Sequence, residues 1–191
     1  EFAINQQYLA SYKRTFADLH NFDVLAGYES YNLKLQELQG SNTKIYNPTI
    51  GELNNAIASP PRVASFTNEY TTMGYLARIQ YDYDEKYFVS ASYRRDASSR
   101  FHPDNRWGNF GSVGLAWLIN KENFMSNVSW IDMLKFKASY GIQGNDNLGN
   151  YYAYADQYSV TNSNGDFAVS FSYKGNKDIT WETSYAFNTG F

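Results

Sequence analysis

The stretch "MGYLARIQYDYDEKYFVSASYRRD", residues 73–96, decides the fold. Tyr75, Ala77, Ile79, Tyr81 and Tyr83 recur at every second position, with Arg78, Gln80 and Asp82 between them. Asp84-Glu85-Lys86 interrupts the pattern, and Tyr87, Val89, Ala91 and Tyr93 then alternate with Ser90, Ser92 and Arg94. A period of two puts the two sets on opposite faces of a β-strand. A short polar break between two such runs makes a hairpin.

The alternation extends in both directions. Residues 6–16 and 22–31 read as a hairpin about the polar turn 17–21, with Tyr8, Ala10, Tyr12, Phe16, Phe22, Val24, Ala26 and Tyr28 as the apolar positions. Further strands follow at 111–119, 134–142 and 181–191. These make seven strands of about ten residues each, the length that crosses a bilayer when tilted. The connections 17–21, 84–86 and 120–132 are the shorter ones, the last with one helical turn after an Asn120 cap; those at 34–71, 97–110 and 143–179 are long loops. The turn signals "NPT" and "SPPR" fall in the first of these.

Composition narrows the class. The 191 residues suit one domain, and a net charge of −3 with a pI near 5.4 gives no general attraction to nucleic acid. There are no cysteines, and His20 and His102 make no zinc-binding spacing. Aromatic residues make up 18% of the chain. Tyr and Trp in that excess suit a surface with one apolar side and one wet side, either a bilayer interface or a sugar-binding face.

No apolar run is long enough for a transmembrane helix, and the mean hydropathy is −0.56. Barrel strands hide their lipid face in alternate positions, so such averages miss them. The start, "EFAINQQYLASYKRTF", has no basic n-region or apolar h-region and is not a signal peptide.

Alternation alone serves a soluble aromatic-rich β-sandwich carbohydrate-binding module as well as a barrel. Strand length and the segregation of short turns from long loops favour the barrel. The expectation is an all-β fold, an antiparallel transmembrane β-barrel segment. An odd count of seven, with two edges that lipid cannot hydrate, marks the chain as part of a larger barrel.

Several stretches resemble the SusC/RagA family of TonB-dependent outer-membrane transporters from Bacteroidetes. The most specific is "GYLARIQYDYDEKYFVSASYRRDASSRFHPDNRWGNFGSVGLAWLINKENFM", residues 74–125, similar to the family's Tyr-rich strand, D-(D/E)-K-Y turn, R-R-D-(G/A)-S-S-R-F loop start and N-R-W-G-x-F strand. "WIDMLKFKASYGIQGNDNLGNY" (130–151) and "ITWETSYAFNTGF" (179–191) follow in the family's order. "NFDVLAGYE" (21–29) and "LNNAIASPPRVASFTNEYTTMGY" (53–75) match more loosely. Terminal Phe191 looks like a barrel C-terminus, but the W-E-T resemblance puts it mid-barrel.

The resemblance implies a barrel of about 22 strands, residues 1–191 being part of it without plug or TonB box. It further implies the bacterial outer membrane and its lipid, a SusD-type surface lipoprotein as lid, and the TonB complex acting through the missing plug region. The substrate would be a glycan or peptide, with no nucleic acid and no catalysis. A glycan-processing enzyme is the third class, for which no carboxylate pair can be read from the sequence.

Residue roles follow from that picture. Arg94, Arg95, Asp96 and Asp104 are expected as rim salt bridges, since Arg–carboxylate pairs brace adjacent strands. Arg100, His102, Arg106, Trp107, Tyr151 and Tyr152 are expected where loops meet substrate or lid. Arg78, Gln80, Asp82, Lys135, Lys137 and Glu182 face the lumen, and Tyr81, Tyr83, Trp117 and Tyr140 form the membrane girdle. Trp107, Trp130 and Trp181 suit either a girdle or a sugar contact. No metal site or cofactor is expected, although "GNDNLGN" (144–150) and "TNSNGD" (161–166) carry oxygen ligands of the kind calcium takes in an extracellular loop.

Overall fold

The computed structural model describes residues 1–57 and 62–191. Seven strands form one antiparallel sheet in the order β1 (Phe2–Phe16), β2 (His20–Ser41), β3 (Arg62–Tyr83), β4 (Tyr87–Ser98), β5 (Trp107–Leu118), β6 (Lys135–Asn145) and β9 (Glu182–Gly190). Between β6 and β9, β7 (Gln157–Ser163) and β8 (Asp166–Tyr173) form a separate two-stranded sheet. No second sheet packs on the seven strands among the described residues, so the sandwich alternative does not arise.

Alternation carries through every pairing. One polar row crosses the whole sheet: Lys13 opposite Asp23, Asp23 opposite Gln80, then Ser90, Gly114, Ser139 and Asn188. One residue further along, the row on the other face is Tyr12, Val24, Ile79, Ala91, Val113, Tyr140 and Phe187. At one end the turns are tight. Ala17 and Asp18, and likewise Asp84 and Glu85, take positive φ, as the primed hairpin turns require to match strand twist.

Three of the expected boundaries are corrected. The long loop expected at 34–71 is largely strand, because β2 and β3 stay in register from His20–Tyr83 to Ser41–Arg62. Its "NPT" signal holds a local turn, Ile50 N–H donating to the Asn47 carbonyl at 3.1 Å, while Ser59–Pro61 of "SPPR" lie outside the described residues. The loop expected at 97–110 shrinks to 99–106. The loop expected at 143–179 contains the β7–β8 hairpin. The expected helical turn after Asn120 is two 3-10 turns, Ile119–Lys121 and Asn123–Met125, and Asn120 Oδ1 accepts the Leu134 N–H at 3.3 Å.

The buried core sits at the long-loop end. Phe101 is fully buried, and Ala97, Ser98, Phe110 and Ala153 are buried with it. The tips of β4 and β5 and the loop after β6 thus pack into one rim.

Candidate functional site

Each face of the sheet has its own chemistry. On the apolar face, at the short-turn end, one row runs Phe16, His20, Tyr83, Tyr87, Trp117 and Phe136, each opposite the next. Tyr83 stacks on Tyr87 at 6.4 Å, Tyr87 on Trp117 at 6.2 Å, and Phe136 meets Phe191 at 5.2 Å. The 3-10 turns lock onto this belt: the Tyr87 hydroxyl donates to Glu122 Oε1 at 2.5 Å and Trp117 Nε1 donates to it at 3.0 Å. Those two bonds, the tyrosine's first, hold the Glu122 carboxyl below its ordinary range.

A second belt lies at the other end of the same face. Tyr8, Tyr28 and Tyr75 are successive partners, and Trp107 stacks on Tyr75 at 6.3 Å. Along β3 the two belts are Tyr75 and Tyr83. That separation is about 26 Å along the strand, or about 20 Å at a 40° tilt, close to the apolar band of an outer-membrane barrel.

The residues read as girdle spread over this band. Tyr83 and Trp117 stand in the lower belt, Tyr81 one row inside it, and Tyr140 in the middle row. Trp107 stands in the upper belt and also carries Arg95, whose guanidinium lies 5.1 Å over the indole. Trp130 is 82% exposed in the turn between β5 and β6.

The opposite, polar face is concave. Gln80, Asp82, Lys135 and Lys137 line its trough with Lys13, Asp23 and Asn188. Lys13 pairs with Asp23 at 2.8 Å, Asn21 donates to Asp82 at 2.8 Å, and Lys135 sits 5.5 Å over the Phe88 ring. Arg78 falls on the same face, opposite Ser92, and Glu182 accepts from Asn145 Nδ2 at 3.0 Å.

At the rim, the four residues read as Arg–Asp braces separate. Arg94 and Asp96 do pair, at 2.9 Å, and Arg94 also reaches Glu29 on β2 at 2.9 Å. Arg95 points to the other face and onto Trp107, because neighbours on a strand alternate. Asp104 pairs with His102 at 3.3 Å rather than with an arginine.

The loop residues read as contact groups are largely engaged by other residues of the rim. The Arg100 guanidinium lies over the rings of both Tyr70 (4.6 Å) and Tyr151 (5.1 Å), which meet edge-on, and donates to the Asp146 carbonyl at 3.1 Å. Tyr152 OH accepts the Glu69 N–H at 3.2 Å, and the His102 ring meets Tyr154 edge-on. The Arg106 carbonyl accepts from Trp181 Nε1 at 2.8 Å. Trp181 is therefore neither girdle nor free sugar platform: its ring packs on Phe110 and Phe101.

Sequence reasoning missed the group that ties these loops together. Asp146 Oδ2 accepts from the Tyr70 hydroxyl at 2.7 Å and from Ser98 Oγ at 2.6 Å. Asp146 lies in one of the two oxygen-rich stretches, and its carboxylate is taken up by these hydroxyls. The other stretch holds the β7–β8 turn. Among the described residues no group of three or more His, Asp or Glu side chains gathers to hold a metal.

A sheet polar on its concave face, belted by aromatics on the opposite face, and with both of its tight hairpin turns at one end matches the wall of an outer-membrane-type β-barrel. No protein-family model matches the chain. Curated relatives do. A TonB-dependent receptor of Formosa agariphila is 35% identical over 191 residues, covering 94% of this chain and 17% of the relative. TonB-dependent receptor SusC of Bacteroides thetaiotaomicron is 29% identical over 181 residues, covering 90% and 17%.

Among solved structures, that of the RagAB peptide transporter matches with a TM-score of 0.87 and 25% identity, over 98% of this chain and 21% of that one. The RagAB peptide importer in its "open-open" state matches with a TM-score of 0.83 and 27% identity over the same shares. The chain thus spans about one-sixth of the curated relatives and one-fifth of the solved chains. Over nearly its whole length it is similar to a segment of these TonB-dependent receptors and of the RagAB barrel chain.

Proposed function

We propose that the chain forms part of the wall and mouth of a SusC-type TonB-dependent transporter in the bacterial outer membrane. The transporter imports glycans or peptides, with a SusD-type surface lipoprotein over its mouth and TonB pulling on a plug outside these residues. The chain's relatives are named as receptors and a peptide transporter. The observation that carries this reading is the pair of aromatic belts on the face opposite the charged trough.

In this role Lys135, Lys137, Arg78, Gln80, Asp82 and Glu182 present a hydrophilic wall to plug and substrate. Arg100 and Arg106 hold the mouth's shape, and His102 and Tyr152 stand among the loops that substrate or lid would approach. The test uses the full-length protein in its own host. It is expected in the outer-membrane fraction as a heat-modifiable band, and uptake of its substrate is expected to stop when the TonB complex is deleted. Recovery in the soluble fraction, or uptake indifferent to TonB, overturns the proposal.

A further inference from the structure

Arg94 and Arg95 are neighbours on β4 with opposite surroundings. Arg94, on the polar face, is taken up by Glu29 and Asp96. Arg95 is exposed on the apolar face at the level of the upper belt, opposite Tyr75 on one side and Asn109 on the other. Among the described residues no carboxylate pairs with its guanidinium, which rests over the Trp107 ring at 5.1 Å. β4 has β1–β3 on one side and β5, β6 and β9 on the other, so the wall around Arg95 lies within this chain.

Immediately below, the same face is grooved. Gly111 stands between Tyr93 and Ile142 and puts no side chain into their row. The resulting groove, of about 380 Å³, is lined by Ala91, Tyr93, Val113, Tyr140 and Ile142 and reaches Asn109 at its upper end. Ligand sites run from roughly 300 to 1,000 Å³, so this one suits a slender apolar group.

Two donors stand at the head of the groove. The Tyr93 hydroxyl donates to Asn109 Oδ1 at 2.7 Å, which fixes the amide and leaves its Nδ2 hydrogens for another acceptor. Side chains directly opposite on one face stand about 5 Å apart at Cβ, so the Arg95 guanidinium and this amide can hold one anion together. Arginine takes phosphate through paired N–H donors and stacks on aromatic faces at the same time. An arginine on the lipid face is costly at the midplane and tolerated near the interface, which is where the belt puts this one.

Position selects the occupant. The longer loops lie at this end of the sheet, and in outer-membrane barrels those are extracellular, so the upper belt meets the outer leaflet. The lipid there is lipopolysaccharide, with phosphates on its sugar backbone and acyl chains directly beneath. Arg95 with Asn109, and then the groove, are stacked in the same order. We infer that they bind one molecule of this lipid, a phosphate between Arg95 and Asn109 and an acyl chain over Gly111; the inference rests on the outer-membrane placement proposed above.

The experiment uses the full-length transporter, purified from outer membranes in mild detergent. The probe is the host's lipopolysaccharide, intact or with its phosphates removed by hydrofluoric acid, and native mass spectrometry reads its binding. Arg95→Gln is expected to weaken binding of the intact probe about tenfold, with the amount of heat-modifiable barrel unchanged. Ala91→Phe, which fills the groove and keeps the arginine, is expected to weaken it as well, and Arg94→Gln, on the opposite face, to leave it as in the wild type. Unaltered binding by Arg95→Gln or Ala91→Phe, equal affinity for the dephosphorylated probe, or the same loss from Arg94→Gln overturns the inference. If the wild-type protein is absent from the outer membrane, both readings fall; if it is there and the lipid binds regardless of Arg95, only this one does.

Discussion

The Arg94 guanidinium bonds the Glu29 carboxylate at 2.9 Å across the bare backbone of Gly74. Gly74 stands opposite Glu29 on one side and Asp96 on the other, and a Cβ there would collide with the Asp96 carboxylate. The glycine opens the path along which one cation on β4 reaches over β3 to β2.

Gly74→Val is therefore expected to destabilise the full-length barrel by about 1–3 kcal/mol through overpacking. A double-mutant cycle of Arg94→Ala and Glu29→Ala is expected to give a coupling of about 0.5–1 kcal/mol, since both partners keep contact with water. Urea unfolding in liposomes measures both. A neutral Gly74→Val would show that the pair does not pass over this residue.

Neighbouring residues on β3 stand on the apolar and the polar face of the sheet. Ile79 lies midway between the belt residues Tyr75 and Tyr83, on the apolar face, and Gln80 lines the trough. Ile79→Lys is expected to cost about 2–4 kcal/mol, and Gln80→Lys to stay within about 0.5 kcal/mol. Equal costs in the same liposome assay would contradict the assignment of faces.

Asp146→Ala leaves the hydroxyls of Tyr70 and Ser98 without their acceptor, Ser98 being almost wholly buried. The local cost is about 1–3 kcal/mol. Amide exchange across residues 146–156 is expected to quicken by about tenfold or more. Tyr70→Phe, which removes one donor and leaves the Ser98 bond, is expected to have a smaller effect.

The root of the β7–β8 hairpin depends on pH through Asp156, whose carboxyl is held below its ordinary value by the Gly175 N–H and then by Lys174. A depressed folded pKa favours the ordered root above the unfolded value, about 3.9, and that advantage fades as pH falls through the folded one. Amide exchange in β7 and β8, normalised to the intrinsic rate at each pH, is expected to rise below about pH 4. Asp156→Asn is expected to raise it at neutral pH and to abolish the acid response.

The membrane-facing half of the fold was legible because lipid on one side and water on the other impose a strict period of two. Beyond the upper belt that constraint ends, and the phase reverses on β2. Tyr28 faces outward, whereas Leu33 and Leu35 fall on the inner side, leaving Asn32, Lys34 and Gln36 outside. The reversal broke the pattern at the place where the strand continues. The β7–β8 turn, with Asn164 and Gly165 both at positive φ, is the strongest short hairpin signal there is, flanked here by alternating residues. It falls inside the long loop expected at 143–179.

The rim was less accessible to sequence for a different reason. Glu29 meets Arg94, and Tyr70 meets Asp146, across separations set by register over several strands. The resemblance marked Arg94, Arg95 and Arg100 as a group without showing that each turns to a different partner. Their partners depend on alternation and on where each strand stops.

The β2–β3 ladder runs unbroken for 22 residues on each strand, from the lower aromatic belt to Ser41 and Arg62, ten pairs past the last partner on β4. β1 stays paired with the first three of these, up to Lys34, so the last seven pairs are free on both sides, a blade about 23 Å long at about 3.3 Å per residue. It has no hinge along its length, so a push at its tip arrives at the girdle as leverage on the barrel wall. Whatever leans on the mouth from outside is thereby mechanically joined to the staves of the barrel.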